Sequence, residues 1–123
     1  MARYPGLLLR VLSAKSPAMG PGKARLVTLI AGTGSISAAA REMGMSYRRA
    51  WQLVEALNKC FNEPVVLTAV GGKRGGGAVV TEFGKHLVAQ YHGMEAKASA
   101  AIAADLEKFS THLRKPATRR KSR

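Results

Sequence analysis

Tyr47, Arg48 and Arg49 stand in a row, and Gln52 follows Arg48 by four residues, one helical turn. Arginine offers two N–H donors to the edge of guanine and glutamine pairs with adenine, so this spacing suits base contact in a major groove. Arg48 and Gln52 are the candidates for that contact. Tyr47 and Arg49 flank them and are candidates for phosphate or sugar; the competing reading is a solvated helix face. Downstream, GGKRGGG over residues 71–77 sets Lys73 and Arg74 among five glycines. Glycine lets the backbone approach closely, and two cations there can grip a phosphate or enter a minor groove; the alternative is a loose turn. The hydroxyls of Ser35, Ser37 and Ser46 lie where helices begin, beside N–H groups able to face phosphate. Helix capping alone would account for them equally well.

Other chemistries lack the spacing they need. A Walker loop requires glycine at 67 and Ser or Thr after the lysine, where this chain has Leu67 and Arg74. His86, His92 and His112 are six and twenty residues apart, not the three or four that bring two ligands to one helix face. No triad or paired carboxylates can be read either, so the expectation is a protein that is not an enzyme, with no catalytic residue, metal or cofactor.

Residues 34–61 form the framework that would carry most of these side chains. Ala38, Ala39 and Ala40 allow close helix packing, Gly44 ends a first helix, and Ser46 caps a longer one. Ala50, Leu53, Val54, Leu57 and Phe61 form one apolar stripe, with Arg48, Gln52, Glu55 and Lys59 opposite. This is a helix-turn-helix layout, with the row at Tyr47 where a recognition helix meets DNA. Trp51 lies on the flank of the stripe, where partial core packing competes with a DNA-facing role, and Cys60 reads as a small core residue rather than a reactive thiol. Ahead of this unit, residues 7–12 read as an edge strand, residues 16–22 (SPAMGPG) as an irregular connector, and the stretch from Lys23 as a supporting helix. That helix puts Leu26, Leu29 and Ile30 on one face and stops at Gly32 and Gly34.

After the helix-turn-helix, residues 65–70 and 78–80 are two strands around the glycine-rich tip. A basic hairpin placed directly after a recognition helix is a wing. Thr81 then caps a helix whose apolar residues recur every three or four positions from Phe83 to Leu113, interrupted only by Gly93. Continuous to Leu113, it would run about 48 Å, too long for so small a domain to cover. Its apolar side, with Leu87, Tyr91, Met94, Ala98, Ile102, Leu106 and Phe109, therefore calls for a second copy of the chain; a solitary exposed helix is the alternative. Residues 114–123 carry six basic residues and no acid, and nothing to bury, so they read as a disordered tail.

Twenty Lys and Arg against seven Asp and Glu give the 123-residue chain a formal charge of +13. That excess attracts polyanions, nucleic acid first and anionic membrane second. No stretch approaches the ~20 apolar residues of a membrane span, and Arg10 interrupts the signal-like start. With Cys60 alone, no internal disulfide can form, which suits a reducing cytoplasm. The fold class expected is mainly α with a small β-hairpin: a winged helix-turn-helix with an N-terminal strand and a long C-terminal dimerisation helix over residues 1–113, then the tail. The competing function is a nonspecific architectural nucleic-acid binder that works by charge.

Gly34-Ser35-Ile36-Ser37, Ser46-Tyr47 followed by a basic residue, Ala50-Trp51, and Gly71-Gly72-Lys73 with Gly75-Gly76-Gly77-Ala78-Val79 carry a resemblance. The chain from about residue 7 to about 112 resembles the amino-terminal DNA-binding domain of the ModE family, the molybdate-responsive transcription regulators. GSISAAAREMGMS also resembles LysR-type regulators, and the wing favours ModE. The resemblance implies a homodimer held by the first strand and the long last helix, with winged helices over two half-sites of double-stranded DNA. Full-length family members continue into a domain of molybdate-binding repeats. This chain reaches Arg123 in the basic tail, so the expectation is a regulator without that oxyanion site, constitutive or served by a separate molybdate-sensing partner.

Overall fold

The computed structural model describes residues 6–14, 16–69 and 77–115. It is mostly helical, with two small antiparallel strand pairs, in the order β1 (Val11–Leu12), β2 (Pro17–Met19), α1 (Pro21–Thr33), α2 (Ile36–Met43), α3 (Tyr47–Cys60), β3 (Val66–Thr68), β4 (Ala78–Val80), α4 (Glu82–Ala101) and α5 (Ala103–Ser110). Strand β1 pairs with β2, and β3 with β4.

Both helices of the helix-turn-helix start at serine caps, and the first stops at a glycine. The Ser35 hydroxyl accepts from the Ala38 N–H at 3.0 Å, and the Ser46 hydroxyl from the Arg49 N–H at 3.1 Å. Gly44 closes α2 in the left-handed conformation, φ 70°, which favours a residue without Cβ. Helix α1 ends the same way at Gly34, φ 71°. The core forms where the three helices cross: Leu26, Val27 and Ile30 of α1, Ile36, Ala39 and Ala40 of α2, and Ala50, Val54 and Leu57 of α3 are buried together. Alanine at 39, 40 and 50 keeps the helix backbones close enough for one layer of larger side chains to fill the space.

Three expectations are corrected. Residues 7–12 are not a strand throughout; only Val11–Leu12 pairs, and its partner Pro17–Met19 comes from the segment read as irregular. Pro17 stands first in β2, where a missing N–H is tolerated, and the burial of Ala18 and Met19 stabilises the pairing. Helix α1 consequently begins at Pro21, a favoured first position, rather than at Lys23, and Gly32 lies inside it. The last helix is not one piece to Leu113. It breaks at Ile102, φ −107° and ψ 10°, resumes as α5 and ends at Ser110, while Gly93 lies within α4 without interrupting it.

Candidate nucleic-acid interface

In α3, Ala50, Val54 and Leu57 turn inward, and Arg48, Gln52, Glu55 and Lys59 are exposed on the opposite side. Tyr47 and Arg49 are exposed at the N-terminal turn. The turn before them is closed by two backbone hydrogen bonds: the Met45 N–H donates to Ala40 O at 3.0 Å and the Gly44 N–H to Arg41 O at 3.2 Å. A short helix, a fixed turn and a second helix with a bare polar face are thus assembled as one unit. Ser37 is exposed on the first turn of α2, while Ser35 and Ser46 use their hydroxyl oxygens as caps. Each of those two O–H groups can still donate. Trp51 is 39% exposed and lies outside the buried cluster, so the core packing expected of it is not found. Cys60 is only half-buried at the end of α3, its sulfur 3.8 Å from the Ser16 hydroxyl.

Strands β3 and β4 pair Val66 with Val80, Leu67 with Val79 and Thr68 with Ala78. Lys73 and Arg74 lie outside the described residues, as does most of the tail over 114–123. What the structure adds is how the base of this strand pair is fastened. Asn58 of α3 accepts from the Val65 and Val66 N–H groups at 2.8 and 3.1 Å and donates to Val66 O at 2.9 Å. On the other strand, the Ala78 N–H donates to Gly34 O at 3.0 Å, tying β4 to the corner between α1 and α2. The Thr81 hydroxyl caps α4 at Gly84 and donates to Pro64 O, both at 2.8 Å. Sequence reasoning missed Asn58. Its signal, a lone asparagine near a helix C-terminus ahead of a β-rich run, is too weak to stand out.

No family model matches the chain. It is 50% identical over 86 residues to the molybdenum-pterin-binding protein MopB of Rhodobacter capsulatus, across 70% of this chain and 32% of MopB. It is 42% identical over 94 residues to MopA of the same organism, across 76% of this chain and 36% of MopA. With the DNA-binding transcriptional dual regulator ModE of Escherichia coli (strain K12) it shares 41% over 71 residues, 58% of this chain and 27% of that protein. These relatives support a ModE-related family. The chain spans about a third of the length of the curated relatives it matches.

The residues expected to face a second copy divide in two. Tyr91 is 1% exposed, and its hydroxyl donates to Leu9 O at 2.6 Å. It belongs to the chain's own core, which corrects its assignment to a dimer surface. Burial, and then the neighbouring Glu95 carboxylate, push that hydroxyl up to about 12, with Arg10 opposing part of the rise. Leu87 is half-buried against the same core. Beyond Tyr91 no described residue is buried: Met94 is 45% exposed, Phe109 is 63% exposed, and Ala98, Ile102 and Leu106 are partly covered. Among the described residues no helix is long and apolar enough to cross a membrane, and no three His, Cys, Asp or Glu gather as metal ligands. His92 Nδ1 lies 2.8 Å from Glu95 Oε1.

Proposed function

We propose that the chain is a dimeric, sequence-specific DNA-binding transcriptional regulator of the ModE kind, acting in the cytoplasm on molybdate-transport or other molybdenum-related genes and carrying out no catalysis. The observation that carries this is the outward row on α3: a Ser46-capped helix, fixed by a left-handed glycine turn, presents Arg48 and Gln52 one turn apart on the face opposite its core stripe. Relatives named as a DNA-binding regulator and as molybdenum-pterin-binding proteins supply the biological setting. In this reading β3 and β4 are the wing, Lys73 and Arg74 its phosphate or minor-groove contacts, and Ser35, Ser37, Ser46, Tyr47 and Arg49 the flanking backbone contacts. Residues 1–113 are the DNA-binding and dimerisation unit, with α4 and α5 meeting a second copy.

Arg48→Ala tests it. Binding is measured on the preferred duplex and on single-base variants of it; the expected loss is about 1–3 kcal/mol at the contacted base pair, with selectivity relaxed there alone. Uniform weakening across all sequences would mean that Arg48 does not read bases. A map of chromosomal binding with and without molybdate then assigns the genes. The second reading, nonspecific binding by charge, draws on the formal charge of +13 and predicts equal affinity for random duplexes.

A further inference from the structure

The Arg49 flank of α3 opens onto a groove of about 400 Å³ beside the start of α1 and β2. Met43, Met45 and Leu53 line it together with three cations, Arg10, Lys23 and Arg49, and with no acid. Among the described residues none of the three cations has a carboxylate within salt-bridge distance. The fold itself places them. Lys23 Nζ donates to Pro17 O at 2.7 Å, which fixes the ammonium at the rim with two N–H groups still to give. The Arg10 side chain lies along Gly20: a Cβ there would meet its Nε at 3.5 Å and its Cγ at 3.6 Å. Three like charges gathered without a counter-ion raise the local potential, which an incoming anion relieves.

A helix with its side chains is about 10–12 Å across, and a major groove is about 12 Å wide. An inserted helix therefore presses both flanks against the phosphate ridges. At about 100° per residue, Arg49 points roughly a quarter-turn from Arg48, toward one ridge, and the groove with Arg10 and Lys23 continues from it. The geometry points to a phosphate-binding groove in which Arg10, Lys23 and Arg49 receive one strand's backbone while Arg48 and Gln52 face the bases. This rests on the DNA-binding reading above and extends it with two contact residues distant in sequence from the helix-turn-helix, and with their ligand, the phosphodiesters along one side of the duplex.

The test is a salt titration of duplex affinity for the full chain, for R10A/K23A, for the charge-keeping R10K/K23R, and for K85A/K108A, which removes the same charge from exposed positions on α4 and α5. The logarithm of affinity falls against the logarithm of salt by about 0.9 per phosphate contact. R10A/K23A is expected to lose about 1.8 from that slope per bound subunit, equally on preferred and random duplexes, with the selectivity ratio unchanged. R10K/K23R and K85A/K108A keep the slope. An unchanged slope in R10A/K23A, or an equal loss in K85A/K108A, overturns the groove while leaving DNA binding intact. A wild-type chain that binds no duplex overturns the DNA-binding reading itself. Should R10A/K23A melt before the wild type, Arg10→Gln and Lys23→Gln taken singly are each expected to remove about 0.9, and no change in either overturns the groove.

Discussion

Asn58 holds two backbone N–H groups and one carbonyl at the start of β3 with a single side chain. Asn58→Ala leaves those groups without their partner, and a loss of about 1–3 kcal/mol in the urea-unfolding free energy is expected. Tyr91 makes a different prediction, in pH. An acid whose pKa rises on folding favours the folded state while it is protonated. Its contribution is whole below pH 10, the ordinary value, and is lost as pH climbs through about 12. Tyr91→Phe is expected to be less stable than the wild type at neutral pH, for want of the bond to Leu9 O, and the gap should close between pH 10 and 12 in paired thermal melts. At this scale the caps at Ser35, Ser46 and Thr81 were legible in the sequence, because capping is decided within three residues. Asn58, Trp51 and Tyr91 were not: what each touches depends on how elements far apart in sequence come to pack.

Gly84 sets how closely α4 approaches the strand pair. A Cβ there would lie 2.5 Å from Val65 O and 2.9 Å from Val80 Cγ1, and the carbonyl belongs to backbone held by Asn58 and Thr81. Gly84→Ala is expected to destabilise by about 2–3 kcal/mol by chemical denaturation, against the usual gain of alanine over glycine in a helix. At the N-terminal end of the same element, Phe83 meets Phe61 edge-on at 6.3 Å, so α3 and α4 are joined by rings as well as through the strands. The helix-turn-helix and the β3–β4 pair were legible because glycines, caps and a change from helical to strand periodicity mark them locally. Strand β2 was hidden by two prolines and two glycines that signal irregular backbone. The break at Ile102 carries no glycine or proline to announce it, whereas Gly93 advertised one that does not occur.

For the molecule as a whole, the question is what covers the chain past Tyr91. Apolar side chains at Met94, Ile102, Leu106 and Phe109 sit on helices with no buried residue of their own beyond that point. In the dimeric reading, introducing charge there is expected to separate the subunits. M94K/F109E should sediment as a monomer, keep the melting behaviour of the helix-turn-helix core, and bind a two-half-site duplex no more tightly than a lone half-site, the gain of two linked contacts being lost. A variant that remains dimeric would exclude this face as the contact. Formal charge was legible from composition alone, but its distribution was not: Arg10 and Lys23 reach the side of Arg49 only because β1, β2 and the start of α1 fold back on α3.

The outward row of α3, Arg48, Gln52, Glu55 and Lys59, takes no part in the buried cluster. Those four letters can therefore be rewritten with little penalty, typically within about 0.5 kcal/mol for positions of this sort. In the DNA-binding reading, a scaffold with that property can be retargeted to a new address on a genome while its architecture is inherited intact.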